Sequence, residues 1–263
     1  MSSSTTVTET APQSAQSSTI TLDSSLAGHD EEQIRLMEER CIVLDNDDNY
    51  LRDGSKKECH LMTNINKGLL HRAFSVFLFD PTTGKLLLQR RALEKITFPN
   101  MWTNTCCSHP LAIKAELEEA EQIGVRRAAQ RKLDHELGIP AEQVPLDQFQ
   151  YLTRIHYLAP NGDEGNIWGE HEIDYILFIT ANVTLQPNLN EVCDTKWVSP
   201  QELKVLMTEL DPAAFTPWFK LIVQKFLFPW WTELLAKRGG DESKPLDAKS
   251  LANLTDHNIH RML

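Results

Sequence analysis

The stretch AFSVFLFDPTTGKLLLQRRA, residues 73–92, indicates how the centre of the chain folds. Its two apolar runs, 73–80 and 85–92, have the aliphatic and aromatic content of strands in a buried sheet. The four residues between them, PTTG, include the proline and glycine that are typical of a tight turn. The stretch therefore predicts a β-hairpin.

Further strands are predicted on both sides of this hairpin. CIVLDNDDNYL (41–51) is typical of a strand that enters an Asp/Asn turn. QYLTRIHYLA (150–159) and HEIDYILFITANV (171–183) have the β-branched and aromatic content of strands in a well-buried sheet.

Helices are predicted between and after these strands. A polar helix is expected over 113–137, ended by Gly138, and a second over 199–210 after a Ser-Pro start. A third is expected over 215–236, broken at Pro229. Together the elements predict an α/β (α+β) fold, a mixed β-sheet sandwiched by α-helices.

Length and composition suit one globular domain. Of 263 residues, 41% are hydrophobic and 24% are charged, close to globular averages. The patterns predict a folded domain over 41–236, a poorly ordered extension over 1–40 and a C-terminal tail over 237–263. Residues 1–25 are rich in Ser and Thr and lack Lys, Arg and aromatics, so we expect disorder rather than a mitochondrial presequence or a secretory signal.

Charge and cysteine content argue against several classes of protein. A net charge of −11 argues against a nucleic-acid partner, which normally requires a basic face. Five cysteines, odd in number and irregularly spaced, argue against a disulfide framework and indicate reduced thiols in a cytosol-like compartment. The most apolar run, 215–231, carries two lysines and two prolines, so no membrane span is expected.

The segment NTCCSHP (104–110) concentrates two thiols and an imidazole before a proline. Read alone, it is a zinc knuckle, a buried turn or a chemical centre, and the knuckle is disfavoured because separated Cys pairs are missing. For Cys107 the roles of nucleophile, proton donor, metal ligand and small hydrophobic residue all stay open. Alternation along an extended segment would place Cys107 and His109 on one side and Cys106 on the other.

Histidines and carboxylates form a second constellation. Its members are three imidazoles on strand or turn segments and two carboxylates two positions apart on a predicted strand: His60, His71, His109, Glu170 and Glu172. Such a set suits a divalent ion such as Mn²⁺, Mg²⁺ or Zn²⁺. Taken singly, each histidine is more often a surface residue or a satisfied core residue.

Basic residues supply the other half of a candidate site. They are the pairs Lys56–Lys57, Arg90–Arg91 and Arg131–Lys132, together with Lys95. Clusters of this kind clamp small phosphorylated molecules through charge-assisted hydrogen bonds. For any single residue, solvated surface charge is the simpler interpretation.

Six segments taken together resemble one enzyme family. They are KKECHLMTNINKGLLHRAFSVFLF, LLLQRRALEKITFPNMWTNTCCSHP, RKLDHELGIP, YLTRIHYLAP, WGEHEIDYI and FTPWF. In this order and spacing they resemble the type I isopentenyl-diphosphate Δ-isomerases, enzymes of isoprenoid and sterol precursor biosynthesis with a Nudix-like fold. The resemblance covers residues 41–235. It implies isomerisation of isopentenyl diphosphate to dimethylallyl diphosphate by protonation and deprotonation through a tertiary carbocation.

The resemblance also implies roles for the matching residues. The catalytic thiol falls on Cys107 and the acid/base carboxylate on Glu172. Its tyrosine partner falls on Tyr157, and the aromatic residue beside the reacting carbon on Trp218. The implied metal ligands are His60, His71, His109, Glu170 and Glu172. The implied diphosphate-binding residues are Lys56, Arg91, Lys95 and Lys132, the last at a position where bacterial relatives have Arg.

The helix that ends at Gly138 departs from the Nudix hydrolase signature GX5EX7REUXEEXGU, in which U is aliphatic. The matching positions are Arg131, Glu136, Gly138 and Ile139, whereas the first glycine and the other three glutamates are replaced by Leu117, Ile123, Lys132 and His135. Because a hydrolase holds Mg²⁺ and activates water with those glutamates, hydrolysis is the weaker hypothesis. Glu136 is expected to help bind a second Mg²⁺ carried by the substrate diphosphate.

The expected partner is therefore a small molecule, isopentenyl or dimethylallyl diphosphate, and not a nucleic acid or a membrane. We expect a monomer or weak dimer. The C-terminal HRML is close to an SKL-type peroxisomal address but differs from it, so a cytoplasmic location is favoured over peroxisomal import. The non-enzymatic alternative, a zinc-stabilised interaction domain, leaves Trp218 and the basic cluster without a shared purpose.

Overall fold

A single mixed sheet organises the molecule. The structure is a computed structural model that describes residues 24–162 and 165–263. Its strands in these ranges are β1 (Arg40–Leu44), β2 (Tyr50–Ser55), β3 (Leu70–Phe79), β4 (Leu86–Arg91), β5 (Trp102–Thr103), β6 (Cys106–Ser108), β7 (Gln150–Pro160), β8 (Gly169–Thr180), β9 (Val192–Val198) and β10 (Ile259–Arg261).

Strand β3 is the centre of this sheet. On one side it pairs in parallel with β8, from His71 opposite Glu172 to Phe79 opposite Thr180. On its other side three antiparallel strands follow one another: β1 pairs with its start, β6 with its middle and β4 with its end. Segments that are far apart in sequence therefore meet along one strand.

The predicted hairpin is confirmed at its turn but opens beyond it. Strands β3 and β4 pair at Phe79 and Leu86, across a turn whose Gly84 has a φ of 70°. Beyond this pair, β6 occupies the edge of β3, while β4 pairs with β5 and β9. The two hairpin strands diverge because residues 102–108 insert between them.

Helices cover both faces of the sheet, as predicted. They are α1 (Glu31–Leu36), α2 (Lys56–His60), α3 (Met62–Ile65), α4 (Ile123–Leu137), α5 (Pro200–Glu209), α6 (Pro217–Ile222) and α7 (Phe228–Ala236). Alternation along β3 sends Val76 into a core shared with α4, and Phe77 into a core shared with α6 and α7. The fold class expected from the sequence is therefore confirmed.

Helix α4 is shorter than predicted. It begins at Ile123 rather than at 113, because the chain before it folds back on Gly124, where a Cβ would lie 2.3 Å from the carbonyl oxygen of Glu116. The Glu116 carboxylate accepts hydrogen bonds from Arg131 and from the N–H of Leu111, which holds this loop in place. The predicted end at Gly138, with a φ of 62°, is confirmed.

The break predicted at Pro229 occurs one turn earlier. Residues Val223–Leu227 form a π-helical turn that joins α6 to α7. Proline lacks an N–H and its ring clashes with the carbonyl group four residues before it, so the preceding turn widens while the helix continues. The segment 217–236 is therefore one irregular helix.

Both predicted tails include residues that pack on the domain. Residues 24–36 form a 3₁₀ turn and helix α1, which is capped by the carboxylate of Asp30. After α7, the buried Leu246 and Leu251 join the core, and β10 adds a parallel strand beside β7. Residues 1–23 of the extension predicted over 1–40 lie outside the described residues. No helix in the described ranges is long and apolar enough to cross a membrane.

Candidate active site

Three histidines and two glutamates converge at one end of β3. His60 ends α2, His71 lies on β3, His109 follows β6, and the two glutamates lie on β8. One ligand atom from each lies within 4.8 Å of all the others. The five predicted metal ligands are therefore brought together by the fold, in the order His60, His71, His109, Glu170 and Glu172.

The chemistry of this cluster fits a divalent metal ion. Nε2 of His60 lies 2.7 Å from Oε2 of Glu170 but forms no hydrogen bond with it. Neither atom has another hydrogen-bond partner in the described residues. Nδ1 of His60 donates to the carbonyl oxygen of Lys56 at 2.6 Å, which leaves the Nε2 lone pair directed at the cluster. Buried polar atoms without partners are costly, and a shared cation would satisfy them.

Burial and neighbouring charges shift the pKa values of the residues in the cluster. Burial, followed by the neighbouring His60 and His71, holds the pKa of His109 well below its ordinary value. Burial alone would raise the pKa of Glu172, but its contacts with His71 and Tyr157 outweigh burial and lower it. His109 and Glu172 are thus in the neutral and ionised forms that bind metal ions. His71 differs, because burial is outweighed by its contact with Glu172, which raises its pKa to about 9.

A cavity opens beside the cluster. The predicted residues that line it are Lys56, Arg91, Lys95, Cys107, His109, Tyr157, Glu170, Glu172 and Trp218. Residues that the sequence analysis did not single out also line it: Ala73, Phe74, Ser75, Thr97 and Ser108. Metal-ligand, thiol, aromatic and basic side chains therefore face one shared space.

Cys107 presents a protonated thiol to this cavity. It pairs with Ser75 of β3, and its Sγ lies 3.8 Å from Nη1 of Arg91 and 3.9 Å from Oγ1 of Thr103. Burial raises the pKa of the thiol to about 12, although Arg91 acts in the opposite direction. The neighbouring Cys106 points away, with its Sγ 3.5 Å from Glu136 on α4, as alternation predicted.

Tyr157 and Glu172 face the cavity from neighbouring strands. They are directly paired across β7 and β8, and the Tyr157 hydroxyl donates a short hydrogen bond to Oε2 of Glu172. Burial, followed by the charge of Glu172, raises the pKa of Tyr157 well above its ordinary value. The phenol therefore stays protonated and shares its proton with the carboxylate.

Trp218 forms an aromatic wall of the cavity. It lies in the first turn of α6, with its ring 5.3 Å from that of Phe98 in an edge-to-face contact and 6.1 Å from that of Tyr157. The guanidinium carbon of Arg91 lies 5.7 Å from the ring centre. The indole N–H donates to Oδ1 of Asn104.

Three of the predicted basic residues reach the cavity. Arg91 is held by the backbone carbonyl groups of Thr97 and Phe98. Lys95 forms a buried, short ion pair with Glu191. Lys56, the third, is also buried at the cavity wall. Positive charge is thus concentrated here in a protein whose net charge is −11.

Lys132 and Glu136 do not line the cavity. They lie on α4 and face each other, with Nζ of Lys132 3.4 Å from Oε1 of Glu136. The other oxygen of Glu136 accepts from Nε2 of Gln89 at 3.1 Å. Their roles in binding diphosphate and a second metal ion stay predictions.

Asn104 and Glu191 are two further polar residues beside the site that were not predicted from the sequence. Both are buried and bond to residues that line the cavity, Trp218 and Lys95 respectively. Asn104 lies inside the NTCCSHP segment, so its place among residues with predicted roles was a usable signal. Glu191 lies in a loop that has no comparable pattern.

Comparison with known proteins identifies the class. The NUDIX domain model matches residues 69–219. A mixed sheet with helices on both faces, together with this match, defines a Nudix-domain protein.

Curated relatives define the family more narrowly. A Phaffia rhodozyma protein named isopentenyl-diphosphate delta-isomerase is 61% identical over 240 residues, covering 90% of this chain and 93% of the relative. A Candida albicans protein of the same name is 56% identical, covering 90% of this chain and 83% of the relative. A Mesocricetus auratus protein named isopentenyl-diphosphate Delta-isomerase 1 is 52% identical, covering 89% of this chain and 96% of the relative. The chain belongs to the isopentenyl-diphosphate delta-isomerase family.

Proposed function

We propose that this chain converts isopentenyl diphosphate to dimethylallyl diphosphate, and the reverse, in isoprenoid precursor synthesis. The observation that carries the proposal is the placement of two proton-transfer groups around one cavity. Cys107 projects from β6, on one side of β3, and the Glu172–Tyr157 pair from β8 and β7, on the other. High identity to proteins named for this reaction supports it.

The reaction requires two proton transfers at neighbouring positions of a five-carbon chain. A proton is added to the terminal carbon of the 3,4 double bond, which leaves a tertiary carbocation at carbon 3. A different proton is then removed from carbon 2, and the electron pair of that C–H bond forms the 2,3 double bond. Groups on opposite sides of the chain satisfy both requirements.

Cys107 is the proposed proton-transfer group on one side. Burial raises the pKa of its thiol to about 12, so the group holds a proton at neutral pH. The Glu172–Tyr157 pair is the proposed group on the other side, where the phenol proton and the carboxylate share one short hydrogen bond. Because the reaction is reversible, acid and base exchange roles with its direction.

Trp218 is the proposed stabiliser of the carbocation. Its indole lines the cavity beside Tyr157. An indole face attracts a desolvated cation by roughly 1–2 kcal/mol or more, without forming a bond to it as readily as a carboxylate would. The buried ring also keeps water away from the cation.

Lys56, Arg91 and Lys95 are proposed to hold the diphosphate. Their charges face the same cavity, and Arg91 is already oriented by two backbone carbonyl groups. Lys132 and Glu136 are proposed to act at longer range, Glu136 toward a second Mg²⁺ carried by the diphosphate. Anion binding by fixed cations places the carbon chain against Cys107 and Trp218.

The five-residue cluster is proposed to hold Mg²⁺, with Mn²⁺ and Zn²⁺ as alternatives at the same ligands. When bound, the ion lowers the pKa of the carboxylate that binds it and polarises the proton next to it. His60 and Glu170 hold their ligand atoms at the cluster, and Glu172 uses one oxygen there and the other for Tyr157. The cytoplasmic location and the monomeric or weakly dimeric state stay predictions from the sequence.

Incubation of the purified protein with isopentenyl diphosphate and Mg²⁺ tests the proposal. We expect dimethylallyl diphosphate to accumulate to an equilibrium mixture, and the Cys107→Ala variant to produce none. Release of phosphate or pyrophosphate without the isomerised alkene would instead indicate a diphosphohydrolase. The replaced glutamates of the Nudix signature argue against that result.

A further inference from the structure

Asn104 is a buried residue of the NTCCSHP segment without a role in the proposed mechanism. It lies in the two-residue turn between β5 and β6, and its side chain is inaccessible to solvent. It is not among the residues that line the cavity. A buried amide in such a place requires partners for all its polar atoms.

The amide of Asn104 uses its full hydrogen-bonding capacity. Nδ2 donates to the carbonyl oxygens of Val76, at 3.1 Å, and Cys106, at 2.8 Å. Oδ1 accepts from Nε1 of Trp218, at 3.2 Å, and from Oγ1 of Thr103, at 2.9 Å. Its orientation is unique, because a flipped amide would direct its NH₂ group at the indole N–H.

This arrangement joins two groups of the proposed mechanism. The carbonyl group of Cys106 belongs to the peptide bond that precedes Cys107, so Asn104 restrains the backbone that carries the thiol. The same side chain fixes the edge of the Trp218 ring. One amide therefore bonds both to the backbone that precedes the thiol and to the edge of the indole.

Two threonines extend the network. Oγ1 of Thr216 donates to Oγ1 of Thr103 at 2.8 Å, and Thr103 also lies 3.9 Å from Sγ of Cys107. Thr216 is the N-cap residue of α6, yet its side chain caps no helix N–H group. The usual capping bond is replaced by a bond to the strand that leads to Cys107. The start of the helix that carries Trp218 is thus tied to β5.

We propose that Asn104 is a positioning residue that fixes the indole of Trp218 relative to the segment that carries Cys107. The inference rests on the proposed function, because it takes Cys107 as a proton-transfer group and Trp218 as the stabiliser of the cation. Stabilisation by an aromatic face depends on its distance and orientation, so a small displacement weakens catalysis more than substrate binding.

A double-mutant cycle between Asn104→Ala and Trp218→Phe tests the proposal, with kcat and KM measured for isopentenyl diphosphate and Mg²⁺. Phenylalanine keeps an aromatic face but removes the N–H that Asn104 accepts. We expect Asn104→Ala to lower kcat by about tenfold or more while KM changes less than about threefold. In the Trp218→Phe background the same substitution is expected to cost less than about threefold.

Thr105→Val is the matched control. Thr105 lies in the same turn and is equally buried, but its hydroxyl accepts from the N–H of Leu78 and donates to the carbonyl group of Leu87. We expect this variant to lose thermal stability while the folded enzyme keeps a near-wild-type kcat. If Asn104 had a purely structural role, the Asn104→Ala variant would likewise lose thermal stability and keep a near-wild-type kcat.

The proposal would be overturned if the effects of Asn104→Ala and Trp218→Phe on kcat simply multiply in the double variant. A wild-type kcat in Asn104→Ala would also overturn it. If Asn104→Ala does not fold, Thr216→Val replaces it in the cycle, because it breaks the outer end of the same network. It is expected to lower kcat several-fold with KM little changed, and to lose this effect beside Trp218→Phe. Absence of isomerase activity in the wild-type protein would instead overturn the proposed function, so the two failures are distinguishable.

Discussion

Cys107 differs from an ordinary nucleophilic cysteine in its electrostatic environment. A nucleophilic thiol requires a lowered pKa, whereas burial raises the pKa of this thiol to about 12. The nearest cation, Arg91, lies 3.8 Å from the sulfur and does not reverse the effect of burial. A thiol that keeps its proton at neutral pH is a poor nucleophile, and the environment of Cys107 therefore disfavours covalent catalysis.

Substitution of Cys107 tests this role. We expect Cys107→Ala to lower kcat by about a thousandfold or more, because the alanine methyl group can neither donate nor accept a proton. The dissociation constant for the diphosphate is expected to stay within about threefold, measured by calorimetry with the unreactive variant. Near-wild-type turnover would remove Cys107 from the mechanism.

The pH dependence of Cys107 alkylation tests its pKa directly. Since the folded pKa of about 12 lies above the ordinary value of 9.0, the thiolate fraction should keep rising tenfold per pH unit beyond pH 9. The rate of reaction with iodoacetamide is expected to follow it, and a plateau near pH 9 would contradict the assignment. By linkage, the stability gained from this shift is complete below pH 9 and is lost as pH rises toward 12.

At the scale of elements, the C-terminal segment behaves as part of the domain rather than as a tail. Leu246 and Leu251 are buried in the core that α7 covers, and β10 pairs with Arg154–His156 of β7. The same strand β7 carries Tyr157, so the segment supports one wall of the site. Its apolar residues are too widely spaced in the sequence to form a recognisable helical or strand pattern.

Truncation of Leu251 tests this packing. Leu251→Ala is expected to lower the free energy of unfolding by about 2–5 kcal/mol, the usual cost of a large-to-small change in a core. Leu263→Ala is the control, because Leu263 is 74% exposed, and it should change stability by less than about 0.5 kcal/mol. Equal denaturation curves for the two variants would show that the segment does not stabilise the fold.

The strands could be predicted because their signals are local, whereas the roles of the site residues were implied by the resemblance of several motifs to one enzyme family. Buried strands such as β3 and β8 contain segments rich in apolar and aromatic residues, and several site residues lie in the motifs that contain Cys107 and Glu172. The start of α4 could not be predicted, because the close contact between Gly124 and Glu116 is tertiary. The bonding of Asn104 to Trp218 likewise depends on which strands become neighbours.

At the scale of the whole molecule, the metal cluster joins four separate parts of the chain. His60, His71 and His109 come from the first half of the chain, and Glu170 and Glu172 from the second. Their mutual contacts leave buried nitrogen and oxygen atoms without partners in the described residues. A bound cation would therefore stabilise the folded chain as well as serve the reaction.

Metal removal tests this linkage. Dialysis against a chelator is expected to abolish isomerase activity and to lower Tm by several degrees, since ligand binding to the folded state adds about 2.7 kcal/mol at a hundredfold excess over Kd. Mg²⁺, Mn²⁺ or Zn²⁺ should restore both properties. Full activity in a preparation that elemental analysis shows to be metal-free would contradict the assignment, and Glu170→Gln should reduce the recovery of Tm.

The pairing of β6 and β8 with opposite sides of β3 also has a consequence for how the chain folds. His71 meets Glu172 only after about a hundred intervening residues have been organised, and β6 must enter beside β3 before Cys107 faces the same space. Pairings of such long sequence separation carry a large loop-closure cost and form slowly. A nascent or partly folded chain therefore holds neither the complete ligand set nor both proton-transfer groups. Tight metal binding should appear only at the end of folding, together with the ability to react.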